Sequence, residues 1–245
     1  MPSDDRRAVR CSEWLITRLS RHPVDFPILR RHNDHVKQVI IARHGETDWN
    51  VGEVFRGRAD VPLNQTGQAQ AQALGRHLAG LDIGAVYSSP LKRAMDTAAA
   101  IAGHHDLEVT VVDELMDIDF GQWQGLGQAE IKSRYPELHR QWQEQPHLVA
   151  FPGGESLDDV ARRAMRVVDR AVESGGSSTV LVSHRVVSKL LICCLLGLDS
   201  SHFWNIRLDV TGTTIFEYEG GRFTLTRHND TSHLEPALRH TLGDF

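Results

Sequence analysis

From residue 36 onward, short apolar runs rich in β-branched residues alternate with longer amphipathic stretches, and few folds accommodate that rhythm. The runs "VKQVIIA" (36–42), "AVYSS" (85–89), "LEVTVV" (107–112) and "STVLVS" (178–183) each predict a strand. The stretches between them keep a helical period. "ESLDDVARRAMRVVDRAVES" (155–174) places Leu157, Val160, Ala161, Ala164, Val167, Val168 and Ala171 on one stripe. "TGQAQAQALGRHLAG" (66–80) predicts a helix capped by Thr66, and "PLKRAMDTAAAIAG" (90–103) one capped by Ser89 with Pro90 in its first turn. "RVVSKLLICCLLG" (185–197) reads as a buried helix, and helical patterns also fill the stretch up to about residue 145. "TTIFEYE" (213–219) and "RFTLTRH" (222–228) predict a closing hairpin across Gly220 and Gly221. Strands separated by helices pair in parallel and are covered on both faces. The expected fold class is therefore α/β, a mostly parallel sheet sandwiched by helices. Its expected organisation is a single domain over residues 36–235. An N-terminal extension or arm (1–35), with a short amphipathic helix around Trp14, Leu15 and Leu19, precedes it, and a C-terminal tail (236–245) follows.

In such sheets ligands bind beyond the carboxyl ends of the strands. Arg43 and His44 stand just past the first strand, Arg93 lies one turn into the helix after the second, and His184 follows "STVLVS". Two arginines fork onto phosphate or carboxylate oxygens better than any other side chain. A histidine kept neutral beside them can act as nucleophile, base or metal ligand. Metal binding is disfavoured, because neighbouring guanidinium groups repel a cation. The same positive surroundings should keep His44 unprotonated, with a lone pair free for attack on phosphorus. Gly45, directly behind it, is expected to let the backbone approach the phosphate closely.

Whole-chain balance narrows the partners. Lys and Arg number 27 against 32 Asp and Glu, a net charge of -5, which argues against binding nucleic acid by neutralising many phosphates. Cys11, Cys193 and Cys194 are too few and too badly spaced for a disulfide framework or a zinc site, and the adjacent pair reads as small apolar filler. No apolar run reaches the roughly 18 residues of a membrane span. The N-terminus has early acids and no long apolar segment of the kind a secretion signal needs. The expected setting is the cytoplasm, with neither membrane nor nucleic acid as partner.

"RHGETDWN" (43–50) resembles the signature of the histidine phosphatase superfamily, which includes the cofactor-dependent phosphoglycerate mutases. The resemblance continues in order through "FRGRADVPLNQTGQAQA" (55–71), "VYSSPLKRAMDTA" (86–98), "LMDIDFGQWQG" (115–125), "FPGGES" (151–156) and "LVSHRVVSKLL" (181–191). It implies a phosphoglycerate mutase-like fold in which His44 attacks a phosphoryl group and becomes phosphohistidine. Arg43, Arg93 and His184 would hold the phosphate oxygens, assisted by Asn50, with no metal or other cofactor. The implied partner is a small-molecule phosphomonoester, and a homodimer is compatible with it.

Three positions depart from the family pattern. Counting four residues back from Gly121, where relatives carry a glutamate as acid, lands on Asp117, one methylene shorter. Glu114 is the rival donor, and the other acids of "DELMDID" are expected to crowd Asp117 with like charge. Gln124 replaces a glutamate of "WEG". Arg185 follows His184 where the mutases have glycine, and would bind an acidic substrate or form an ion pair. That "HR" step and the compact middle favour a phosphatase over a mutase. A non-catalytic module that only recognises phosphate would not need a nucleophile.

Other residues admit plainer readings. Arg56 would touch the substrate or stand solvated in its loop. Phe120, Trp123 and Trp204 fit the core better than a pocket mouth. His104, His105, His228, His233 and His240 show no metal-ligand spacing and read as surface or packing residues.

Overall fold

Six strands form one sheet, and the structure, a computed structural model, describes residues 36–173 and 178–239 of the chain. The expected arm (1–35) and the tail beyond residue 239, with Cys11 and His240, lie outside the described residues. In chain order the strands are β1 (Lys37–Arg43), β2 (Ala85–Ser88), β3 (Val109–Val111), β4 (Ser178–Ser183), β5 (Thr213–Glu219) and β6 (Arg222–Asp230). In space they run β3-β2-β4-β1-β5-β6. The first four are parallel, and β5 and β6 add an antiparallel hairpin at one edge. Gly220 and Gly221 turn that hairpin with φ of 57° and 85°, a left-handed pair that the right-handed twist of the strands favours.

Among the described residues seven helices accompany the sheet: α1 (Asp48–Val51), α2 (Gln65–Leu78), α3 (Lys92–Ala102), α4 (Gln128–Arg134), α5 (Pro136–Glu144), α6 (Leu157–Glu173) and α7 (Arg185–Leu195). Side chains alternate across a strand, so β1 divides its apolar residues between two cores. Val39 and Ile41 pack with Val160, Val167, Val187 and Leu191 from α6 and α7. Ile40 and Ala42 pack on the opposite face with Leu74, Ala94, Ala98 and Ile101 from α2 and α3. The predicted stripe of α6 is buried in full, and every residue of α7 is buried, Cys193 and Cys194 included.

Two cap assignments change. Asn64, not Thr66, caps α2 by accepting from the Gly67 amide at 2.8 Å. Leu91 occupies the cap position of α3 and makes no side-chain cap bond, which releases Ser89 for another task. Phe120 and Trp123 belong to the core, where Phe120 meets Phe55 and Phe151 edge-on with centroids 5.1 and 5.0 Å away. Trp204 packs beside them and donates its indole N–H to the Trp142 carbonyl at 2.7 Å. His228 meets the Thr214 hydroxyl at 3.1 Å, and His233 stacks near His77 with centroids 5.2 Å apart. Among the described residues no group of three or more His, Cys, Asp or Glu could hold a metal ion, and no helix is long and apolar enough to cross a membrane.

Candidate active site

Parallel pairing creates the centre of the site. Arg43 stands opposite Ser183 in the β1–β4 register, so the next residues, His44 and His184, emerge side by side with ring centroids 5.2 Å apart. The His44 amide donates to the Ser183 carbonyl at 3.0 Å, which carries the ladder one residue past the strand. Both imidazoles are fully buried.

Hydrogen bonding settles which nitrogen of each ring carries the proton. Nδ1 of His44 lies 2.6 Å from the Gly45 carbonyl, and a carbonyl only accepts, so Nδ1 is the donor. In the neutral ring Nε2 therefore holds the lone pair, and it makes no hydrogen bond with the described protein. His184 has the opposite arrangement. Arg93 donates from Nε to its Nδ1 at 3.2 Å, which leaves Nε2–H to donate to the Ser89 hydroxyl at 2.7 Å. Ser89, which resembles a helix cap in the sequence, is thus a support of the second histidine.

Arg93 reaches back from the first turn of α3 and is fully buried. It also donates to the carbonyls of Ala59 at 2.7 Å and Gly57 at 2.9 Å, and to the Asp117 carboxylate at 3.3 Å. Arg43 donates to the Leu208 carbonyl at 2.6 Å. Asn50 closes a capping box with Thr47, accepting on Oδ1 from the Thr47 amide at 2.9 Å, so its amide nitrogen is the end left to donate. Arg56 is buried with 6% exposure, so it is no solvated loop residue, and its Nε and Nη1 have no protein partner. Arg185, also buried, begins α7 directly after His184.

The acidic run separates its members. Asp117 turns inward, 3.3 Å from Arg93 and 3.8 Å from His184. Glu114 turns outward to Arg170 on α6 at 3.1 Å, Asp119 pairs with Arg58 at 3.6 Å, and Asp113 is exposed. The expected crowding of Asp117 by like charge is corrected: its ionisable neighbours are the Arg93 guanidinium and the neutral His184 imidazole. Gln124 accepts from the Arg58 amide at 2.9 Å and so tethers the loop that presents Gly57 to Arg93.

Gly45 leaves room for the protein's own backbone. A Cβ there would lie 2.5 Å from the Gly67 carbonyl oxygen, and a Cβ on Gly67 would lie 2.0 Å from the Glu46 carbonyl. The Gly45 amide already donates to the Thr97 hydroxyl at 3.2 Å. The two glycines let the start of α2 press against the loop behind His44. Gly67→Ala is expected to cost about 1–3 kcal/mol, because backbone on both sides must move. Thermal melting should fall by roughly 3–10 °C, and kcat should fall with it as His44 shifts. An unchanged melting temperature would show that the loop relaxes freely.

Burial first, then Arg93, Arg43 and Arg56, hold the His44 imidazole well below the usual histidine range. Burial, Arg93, His44 and Arg56 do the same to His184. Burial, Arg43 and Arg185 press the Arg56 cation below its ordinary value, with Asp117 in opposition. A buried guanidinium with orphaned donors is costly to leave unpaired, and an anion of suitable size would pair it.

These depressed imidazoles also make folding depend on pH. An unfolded histidine titrates near 6.5, so each buried ring stabilises the fold fully above that pH. The contribution is lost as pH falls below 6.5, since the unfolded chain takes up the proton first. Two rings together predict a loss of up to about 2.7 kcal/mol per pH unit. Without phosphate, the melting temperature should hold above about pH 7 and drop steeply towards pH 5. A flat profile across that range would rule out two neutral buried rings.

The fold and these residues define a class. The model of the histidine phosphatase superfamily (branch 1) matches residues 39–231, and the chain belongs to that family. Its chemistry is that of a phosphomonoesterase. Among its relatives, phosphoserine phosphatase 1 of Hydrogenobacter thermophilus is 37% identical over 198 residues, covering 80% of this chain and 94% of that protein. The structure of YhfR from Bacillus stearothermophilus superposes with a TM-score of 0.78 at 32% identity, over 81% of this chain and all of that one. The mycobacterial glucosyl-3-phosphoglycerate phosphatase, solved with VO3, superposes with a TM-score of 0.75 at 30% identity, over 80% of this chain and 100% of that one.

Proposed function

We propose that this phosphatase hydrolyses small-molecule phosphate monoesters through a phosphohistidine on His44, without a metal ion. The observation that carries the reading is the tautomer of His44. A neutral, buried ring whose Nδ1 is held by the Gly45 carbonyl has its Nε2 lone pair left for phosphorus.

Arg43, Arg93 and Arg56 surround that nitrogen with positive charge, and Arg43, Arg93, His184 and the Asn50 amide would receive the phosphoryl oxygens. Nε2 attacks phosphorus in line, and the bond from phosphorus to the ester oxygen breaks. Asp117 gives its proton to the departing oxygen. Water then attacks the phosphohistidine, Asp117 takes a proton from it, and the P–N bond breaks to release inorganic phosphate. Both half-reactions balance, and Asp117 ends as it began. Before this can happen, the incoming dianion must take over Arg93 from the Asp117 carboxylate, now 3.3 Å away, which frees that carboxylate to take up from solvent the proton it then delivers.

Two relatives are named for phosphoserine and glucosyl-3-phosphoglycerate, esters that carry a carboxylate beside the phosphate. Arg56 and Arg185 supply this chain with further cations for such an acidic substrate. The reading is tested by assaying phosphate release from a panel of monoesters with and without chelator, and by alkaline-quench labelling with a 32P ester. Undiminished turnover in chelator, with acid-labile label on His44, is the expected result. Turnover that chelator abolishes would refute metal independence, and label on another residue would refute the nucleophile.

A further inference from the structure

Arg163 on α6 uses all five of its N–H donors, and three of them grip the backbone of the loop that carries Asp117. Nη1 donates to the carbonyls of Glu114 at 2.7 Å and Met116 at 2.6 Å, and Nη2 to the carbonyl of Asp117 itself at 3.1 Å. The other two donors, one on Nε and one on Nη2, form a fork onto the Glu155 carboxylate, each at 3.0 Å. Glu155 extends the grip. It accepts from the Asp119 amide at 3.0 Å, donates its own amide to the Asp119 carbonyl at 2.9 Å, and pairs with Arg58 at 3.2 Å.

The loop needs such support. Residues 116–120 join two single 3-10 turns, Asp113–Leu115 and Gly121–Trp123, and carry no ladder of their own. On its inner side Asp117 is paired with Arg93 and stands 3.8 Å from His184, the groups that an incoming phosphate would engage. Aspartate is also one methylene shorter than the family's glutamate, so backbone placement must supply its reach. Charge-assisted bonds to carbonyls set backbone position more firmly than neutral ones.

We propose that Arg163, seated on Glu155, is a positioning residue that holds Asp117 within reach of the leaving-group oxygen. This rests on the reading of Asp117 as proton donor. A lysine could not substitute, because one ammonium cannot span three carbonyls and both oxygens of a carboxylate.

The test compares Asp117→Asn, Arg163→Met, Arg163→Lys and the double variant Asp117→Asn/Arg163→Met in the full chain. Single-turnover rates of ester cleavage are read with glycerol phosphate, whose alkoxide needs a proton, and with p-nitrophenyl phosphate, whose phenolate scarcely does. Arg163→Met should slow the alkyl ester at least about tenfold, as angstrom-scale misplacement of a catalytic group does. The aryl ester should change less than about threefold, since it draws little on the acid. KM should move little, Arg163→Lys should recover only part of the loss, and the double variant should be no slower than Asp117→Asn alone. Equal losses on both esters, or additive losses in the double variant, would overturn the positioning role while leaving the acid in place. If Asp117→Asn itself treats the two esters alike, the acid assignment fails and takes the proposal with it. Should Arg163→Met not fold, Glu155→Gln carries the same comparison, because it loosens the seat of Arg163 and leaves the site residues intact.

Discussion

Replacing His44 with alanine is expected to end turnover, with kcat falling by at least about four orders of magnitude, the scale seen when a covalent nucleophile is removed. The loss should not discriminate between esters, because every ester needs the same nucleophile whatever its leaving group. Binding should survive. The alanine variant removes a neutral ring and leaves the guanidinium groups of Arg43, Arg56 and Arg93 unchanged, so competitive binding of phosphate should stay within about tenfold of the parent. Equilibrium dialysis with inorganic phosphate, beside steady-state kinetics, measures both. Retention of even a hundredth of the parental rate would mean that another group attacks phosphorus.

Arg93→Lys is the second large effect, and it separates geometry from charge. The substitution keeps the positive charge, yet the planar fork now reaches His184, Ala59, Gly57 and Asp117 from three different nitrogens. A lysine offers its donors from one point and cannot hold these groups in place. Loss of a preorganised oxyanion donor alone costs about 10²–10³ in kcat. Release of the His184 ring adds to it, since Arg93 is the donor that holds its Nδ1. We therefore expect a fall of about three orders of magnitude in kcat. A loss below about tenfold would show that charge suffices and that the fork is dispensable.

Much of this arrangement is legible in the order of residues alone, for a definite reason. Strand and helix signals are local, so the position of Arg43 and His44 at one strand end, and of His184 just past another, follows from periodicity. The identity of the acid is harder. Asp117 and Glu114 are three residues apart in one acidic run; the count back from Gly121 favours Asp117 by resemblance, and the bonds from Arg163 and Arg170 show how one is held inward and the other outward. Arg163 itself escapes sequence reasoning because it sits in a helix whose apolar stripe explains the segment without it. Ser89 misleads for a similar cause, since a serine before proline has the look of a helix cap. The packing partner of Gly45 is invisible in the sequence, because the Gly67 carbonyl oxygen that takes the space of a Cβ comes from 22 residues further along the chain.

The amino-acid sequence by itself determined the layers of this protein, the ends of its strands and the chemical types gathered there. Only the tertiary structure decided that β4 lies beside β1, in the register that sets Arg43 against Ser183 and so puts two imidazoles side by side. The reason is physical. Hydrophobic period tells a segment which face to bury, but strand order depends on how the whole set of crossovers packs. The tautomer of His184 then follows from Arg93 and Ser89, the neighbours that this order supplies.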